Sequence, residues 1–312
     1  MKVLSGALLL ATLTLSPLPA RSMSPQAAAP QATEEQKQQL LQLNQEVAKL
    51  ANDGNYKDAL DKAKKAQSLT EKAHGKQSTE YAVVIHNLAN IQVALGKTLD
   101  AVDYYKKAIS VYEGIPRSEG RRIRLYKEMA TANLANNNLL ATRENLQKAI
   151  TLSEGVTKLL NQEGVELLFE YASVLELLKK PKDAEPVWAR GLDILNNING
   201  GRIDIVQFRT NTIKGRIKKE GYVKQEQTAR GVVAVSVIVD ETGKVSETSL
   251  INGRDEINPI ALRMAKETVF APLTFNGKPL KMTGVLVYRF PLEQAGKQQV
   301  EIPLGKQPGR NQ

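Results

Sequence analysis

Cysteine is absent from all 312 residues, which excludes disulfides, a thiolate nucleophile and cysteine metal sites. Histidine occurs only at His74 and His86. Neither falls in an H-E-x-x-H pattern, so a structural role is expected for both. Aromatic residues make up 5% of the chain, too few to interleave with basic residues as a platform for single-stranded nucleic acid, and no nucleic-acid partner is expected. The chain has neither a P-loop nor a G-x-G-x-x-G segment. Asp240 and Glu241 stand side by side at the start of a turn, but adjacency does not set two carboxylates across a substrate. The expectation is therefore a protein without catalytic residues, cofactor or metal.

Long apolar runs are missing too. An apolar stretch from Val3 to about Leu15 follows Lys2 and precedes Pro17, Pro19 and Ala20. That order is the order of a secretory signal, and the stretch falls short of the roughly 20 apolar residues that a spanning helix needs. Residues 1–20 read as a cleaved signal peptide, with a retained anchor as the alternative. An exported chain without cysteine suits the bacterial envelope, where free thiols would be oxidised. The expected location is the periplasm or, with the segment retained, the inner membrane with periplasmic domains.

What is present is enough for two domains: 42% of the residues are apolar, sufficient for proper cores. The formal charge is +10. From residue 201 onward 18 Lys and Arg face 11 Asp and Glu, so +7 of that excess lies in the last third. Such a surface steers acidic partners or anionic envelope components, although solubility alone is the simpler use. Residues 21–34, rich in serine, proline and alanine, read as a flexible leader.

A repeat of about 42 residues begins near residue 35. It aligns GNYKDALDKAKKA, GKTLDAVDYYKKA, NNLLATRENLQKA and KKPKDAEPVWARG. One column holds Ala59, Ala101, Thr142 and Ala184, and seven residues later another holds Ala66, Ala108, Ala149 and Gly191. Twelve residues before the first stand Val47, Ala89, Ala130 and Ala172. Small residues at constant offset let helices approach closely. The bulk filling the grooves comes from Leu43, Ile85, Tyr126 and Leu168, and the matching column on the second helix holds Ala63, Tyr105, Leu146 and Trp188, all but Ala63 bulky. Gly54, Gly96 and Asn137 suit turns that need positive φ. Lys179 departs from them, so Pro181 is expected to shape the last turn by another route. The pattern resembles the tetratricopeptide repeat family over residues 35–198. That resemblance implies four antiparallel helix pairs in a right-handed superhelix presenting a concave face to a peptide or protein.

Residues 199–230 read as a linker in which Ile203, Ile205 and Phe208 cover the array end, with a wet, charged run from Lys214 to Lys219. Beyond it, valines at 233, 235, 237 and 239 alternate with Val232, Ala234, Ser236 and Ile238, which predicts a strand buried on both faces. DETGK is a turn, residues 245–251 a returning strand, and residues from 258 or 259 to 269 a helix capped by Asn258. Asn276–Gly277 leads into a last strand over 282–290.

Gly231 before V-x-V-x-V-D, Gly243 with Val245, Ala261 with Ala265, Phe270 and Pro272 in F-x-P, Gly277 in N-G-K-P, and Tyr288 with Phe290 together resemble the carboxyl-terminal domain of the TonB energy-transducer family over residues 231–292. The fold class expected is thus multidomain: an all-α tetratricopeptide-like superhelix followed by a small α+β TonB-C-like domain and a flexible tail over 293–312. That resemblance implies strand addition by a partner polypeptide, with Leu286, Val287, Tyr288, Arg289 and Phe290 at the partner-facing edge. The expected partner is a protein or peptide, such as an envelope or outer-membrane protein. With the amino-terminal segment retained, the alternative is inner-membrane association and a TonB-like energy transducer for outer-membrane transport. The oligomeric state stays open.

Overall fold

The computed structural model describes residues 32–222 and 230–290. The expected signal peptide, most of the leader and the tail lie outside the described residues. Among those described, no helix is long and apolar enough to cross a membrane.

The first helix, α1 (Glu34–Asn52), starts with a capping box: the Thr33 hydroxyl accepts from the Gln36 amide while the Gln36 side chain accepts from the Thr33 amide. Two orphan donors are satisfied at once. Then follow α2 (Tyr56–His74), α3 (Thr79–Ala94), α4 (Thr98–Glu113), α5 (Glu119–Ala135), α6 (Leu139–Thr157), α7 (Gln162–Leu177) and α8 (Pro181–Ile198). Each packs against its neighbours in sequence, so four helix pairs stack into one superhelical array. The apolar face of each pair is buried by the next, and stability accumulates along the stack.

The small-residue columns form the seams of this stack. Ala59, Ala66, Ala89, Ala101, Ala108, Ala130, Ala149, Ala172 and Ala184 are all buried, as are Val47 and Thr142. Gly191 shows why size matters: a Cβ there would lie 2.6 Å from the Phe169 ring. The bulky columns fill the space between seams, with Ile85, Tyr105, Tyr126, Leu146, Leu168 and Trp188 buried.

All four turns within the pairs end their first helix in the same way. The residue with positive φ is Gly54, Gly96, Asn137 and then Lys179, whose φ is 60°. Its amide donates to Glu176 and that of Lys180 to Leu175, as Gly54 and Asn55 donate to Ala51 and Leu50. This is a Schellman cap in each repeat, so Lys179 conforms to the pattern it was expected to break. The hydrogen bonds dictate the backbone conformation, and a lysine side chain is carried through the left-handed region. That conformation costs an L-residue roughly 1–2 kcal/mol, partly offset by the greater unfolded-state entropy of glycine. Lys179→Gly is therefore expected to raise stability by about 0.5–1 kcal/mol; a lower urea midpoint than wild type would contradict it.

The terminal module comprises β1 (Ile205–Gln207), α9 (Thr210–Gly215), β2 (Ile217–Lys219), β3 (Gly231–Val239), β4 (Val245–Asn252), α10 (Asn258–Glu267), β5 (Val269–Phe270), β6 (Leu273–Phe275) and β7 (Lys278–Phe290). The main sheet has the order β1-β7-β3-β4, with β6 forming a hairpin on β7 and β2 pairing β5 separately. Asn276 and Gly277 both have positive φ at the β6–β7 turn, as a two-residue hairpin loop requires. Asp240 holds the β3–β4 turn by accepting from the amides of Thr242 and Lys244 and the Thr242 hydroxyl. Those bonds keep its carboxyl below the usual carboxylate range, the Thr242 hydroxyl bond foremost. Against the inner sheet face lie Ile257, Ala261, Met264, Ala265 and Thr268, all buried.

Three expectations need correction. The linker at 199–230 is structured where described: β1 joins the sheet in parallel with β7, and β2 pairs β5. The strand β3 is fully buried on one face and only in part on the other. Val233, Val235, Val237 and Val239 are inaccessible, whereas on the opposite face Ala234 is buried, Ser236 and Ile238 are half-buried and Val232 is exposed, because α10 covers one side and nothing described fully covers the other. Lastly, Asn258 is the first residue of α10 rather than its cap; Ile257 holds the cap position without a side-chain bond.

Candidate functional site

The segment between array and sheet builds a hub on the last repeat. Phe208, just after β1, packs with Phe169 of α7 and Trp188 of α8 at ring separations of 5.3 and 5.5 Å, and Phe169 lies 5.3 Å from Trp188. Ile203 is buried with them, while Ile205, expected to share that task, remains exposed. The helix α9 seats on α7 so closely that a Cβ at Gly215 would fall 2.3 Å from the Ser173 hydroxyl.

Arg216, within the run expected to be solvated, is instead buried. Its guanidinium pairs with Glu176 of α7 and lies 5.4 Å from the centre of the Trp188 ring. It also donates to the carbonyls of Ala271 (3.2 Å) and Pro272 in the module. Glu176 accepts in addition from Trp188 Nε1 at 2.8 Å. One planar cation thus ties array, connector and sheet module together, using the fork of donors that lysine lacks.

The expected edge residues divide between two roles. Leu286 and Phe290 are buried in the module core, Val287 and Tyr288 are half-buried and Arg289 is exposed. Burial pushes the Tyr288 hydroxyl pKa up to about 12, so it stays neutral throughout the physiological range. All five residues belong to β7 and pair with β3 in the register Gly231↔Phe290 to Val235↔Leu286.

Alternate residues of a strand send their amide and carbonyl to opposite sides. Lys281 donates to Asp204 and Thr283 accepts from Phe208, so odd-numbered residues of β7 face the β1 side. The amide of Ala234, bonded to the Asn252 side chain of β4, fixes the same parity from the other direction. The main chain of Val285, Val287 and Arg289 is therefore aimed away from β3. Because β1 pairs β7 only at Lys281, Met282 and Thr283, no strand among the described residues pairs that margin beyond it.

The free margin begins at a cleft of about 970 Å³ between the outer sheet face and the array. The sheet contributes Ile205, Gln207, Thr283 and Val285; the array contributes Leu134 and Leu146 from α5 and α6, and Glu166, Phe169 and Glu170 from α7. Glu166 is engaged by Arg209 at 2.7 Å and by Lys127 at 3.8 Å, and Lys127 reaches Glu163 at 3.5 Å. Glu170 has no such partner among the described residues. Burial raises its carboxyl pKa above the usual carboxylate range, against the pull of Lys127 and Arg209.

The two histidines stand apart from this cleft's lining. His86 of α3 pairs with Glu128 of α5 and packs against Tyr105, whose hydroxyl donates to Asn90 at 2.8 Å. The His86–Glu128 contact ties neighbouring repeats, while the Tyr105–Asn90 bond holds α4 to α3 within one pair. Among the described residues no group of three or more histidine, aspartate and glutamate side chains is placed to hold a metal. Neither the hub nor Glu170 was found from the sequence. Arg216 looked like one charge in a basic run, and Glu170 like one of several helical glutamates.

Residues 48–114 match the tetratricopeptide repeat family model. That match runs from the end of α1 to the residue after α4. Among solved structures, the repeats described as a kinesin light chain of Podosopora anserina share 16% identity with a TM-score of 0.46, covering 53% of this chain and 78% of that one. Aspartyl phosphate phosphatase F from Bacillus subtilis shares 18% identity with a TM-score of 0.46, over 53% of this chain and 43% of that one. PlcR of Bacillus thuringiensis, solved with the peptide PapR7 and DNA, shares 15% identity with a TM-score of 0.34, over 53% and 71%. No curated protein matches the chain.

Proposed function

We propose that this chain is a protein-binding adaptor of the bacterial envelope, in which the repeat array presents one interaction surface and the terminal module captures an extended polypeptide by strand addition. It performs no chemical transformation and requires no cofactor. The observation that carries the reading is the main chain of Val285, Val287 and Arg289 on β7, which no strand among the described residues pairs on the side away from β3. An open sheet margin is a template for a further strand, and main-chain bonds supply affinity independent of sequence. The TonB-type character proposed for the module is supported by its β3–β4 hairpin, the crossing α10 and a last strand returning antiparallel beside β3. Export and periplasmic location rest on residues 1–20. A mature amino terminus near Arg21 in the periplasmic fraction supports them, and retention of Met1 in inner-membrane fractions favours the energy-transducer alternative instead.

Proline substitution tests the margin selectively. Val287→Pro removes an amide that points away from β3, a position where an edge strand tolerates proline. Crosslinking from Arg289 to a captured partner is expected to fall at least about tenfold, on the order of one or two lost hydrogen bonds, with the module's fold retained by circular dichroism. Undiminished capture by a folded Val287→Pro variant overturns strand addition at this margin.

A further inference from the structure

We infer that the cleft between β1 and α7 is a receptor for a basic side chain, a lysine or arginine carried by the polypeptide that pairs with β7. The inference rests on the strand-addition reading and adds a chemical preference to it. Val285 belongs both to the free margin and to the cleft lining. β1 blocks further pairing, because Phe208 already donates to Thr283 at 2.8 Å. A strand added to β7 therefore ends where the cleft opens.

The cleft's volume of about 970 Å³ falls within the range of small-ligand sites. Its lining is mixed in a way that fits a long cationic side chain. Leu134, Leu146, Phe169 and Ile205 offer an apolar surface for a methylene stem, and Glu170 offers a carboxylate for its head. The other charges facing Glu170 are spoken for: Glu166 holds Arg209 and Lys127, and Lys127 also holds Glu163. Glu170 alone has neither an ion pair nor a hydrogen bond among the described residues. A half-buried carboxylate without a partner weakens the fold, and an incoming cation would relieve it. An acidic side chain in the same place would meet the unpaired Glu170 carboxylate and be disfavoured relative to a cation.

The test uses the full chain and two acetylated, amidated heptapeptides of alternating valine and threonine, one with a central lysine and one with glutamine there. Calorimetry is expected to show the lysine peptide binding about tenfold or more tighter, the ratio expected of a charge-assisted hydrogen bond. Glu170→Gln is expected to abolish that preference and leave the glutamine peptide unchanged. Because it removes a carboxylate whose burial opposes folding, Glu170→Gln should melt no lower than wild type, so loss of the preference is not attributable to unfolding. Equal affinity of wild type for both peptides overturns the basic-side-chain receptor and leaves strand addition standing. A preference that persists in Glu170→Gln overturns it too, and binding of neither peptide overturns both readings.

Discussion

Arg216→Ala is expected to lower stability by about 2–4 kcal/mol, because it leaves the half-buried Glu176 beside an apolar ring without its counter-charge. Glu176 keeps its bond from Trp188, but one neutral donor does not compensate a carboxylate removed from water. The carbonyls of Ala271 and Pro272 lose a donor at the same time. The loss should appear as broken coupling as well as a lower midpoint. Chemical denaturation followed separately by tryptophan fluorescence, reporting Trp188, and by signals of the module should coincide in wild type and separate in the variant. Replacing both partners together, Arg216→Met with Glu176→Leu, should recover much of the loss, since an apolar pair carries no desolvation penalty. A single-variant loss below about 1 kcal/mol, the size of an exposed ion pair, would show that Glu176 is solvated and that the hub is held by packing alone.

Trp188→Ala is expected to cost a similar amount, about 3–5 kcal/mol, by a different route. The indole touches Phe169 and Phe208 and donates to Glu176. Truncation leaves a cavity that the rigid helices α7 and α8 close only in part, and removes the ring over which Arg216 lies. Because the two side chains share Glu176, their effects should not add. A double-mutant cycle should show coupling of roughly 0.5–3 kcal/mol. The exposed Tyr222 is the control: Tyr222→Ala should change stability by no more than about 0.5 kcal/mol. Urea midpoints for Trp188→Ala and Tyr222→Ala that agree would remove Trp188 from the junction.

The array was legible because a repeat prints its contacts at fixed spacing. Ala59, Ala101 and Ala184 recur at one interval since each fills the same seam, and no long-range knowledge is needed to see it. In the module the helix and hairpin were legible for a related reason, from Pro259, the DETGK turn and the alternating valines. The junction was not. β1 has three residues and pairs in parallel with a strand more than seventy positions later, leaving no local pattern. Arg216 and Glu176 are 40 residues apart, and nothing in KGRIKK separates a buried guanidinium from its solvated neighbours. Lys179 was misread because a hydrogen-bond pattern, rather than residue preference, sets its backbone. The outer face of β3 was misread because Val232 and Ile238 look the same whether they are covered or open.

The seating of α9 and Phe208 on α7 and α8 alters what the last repeat can be. Stacked repeats ordinarily finish in a polar helix that shields the final seam from water. Here that duty falls to the β-containing half, whose connector hides Phe169 and Trp188. A chain cut after Ile198 would present those rings to solvent and lose solubility, while the severed half would expose Phe208 and Ile213. The two halves lack autonomy, and any reassortment of this architecture has to carry the seam along with the sheet.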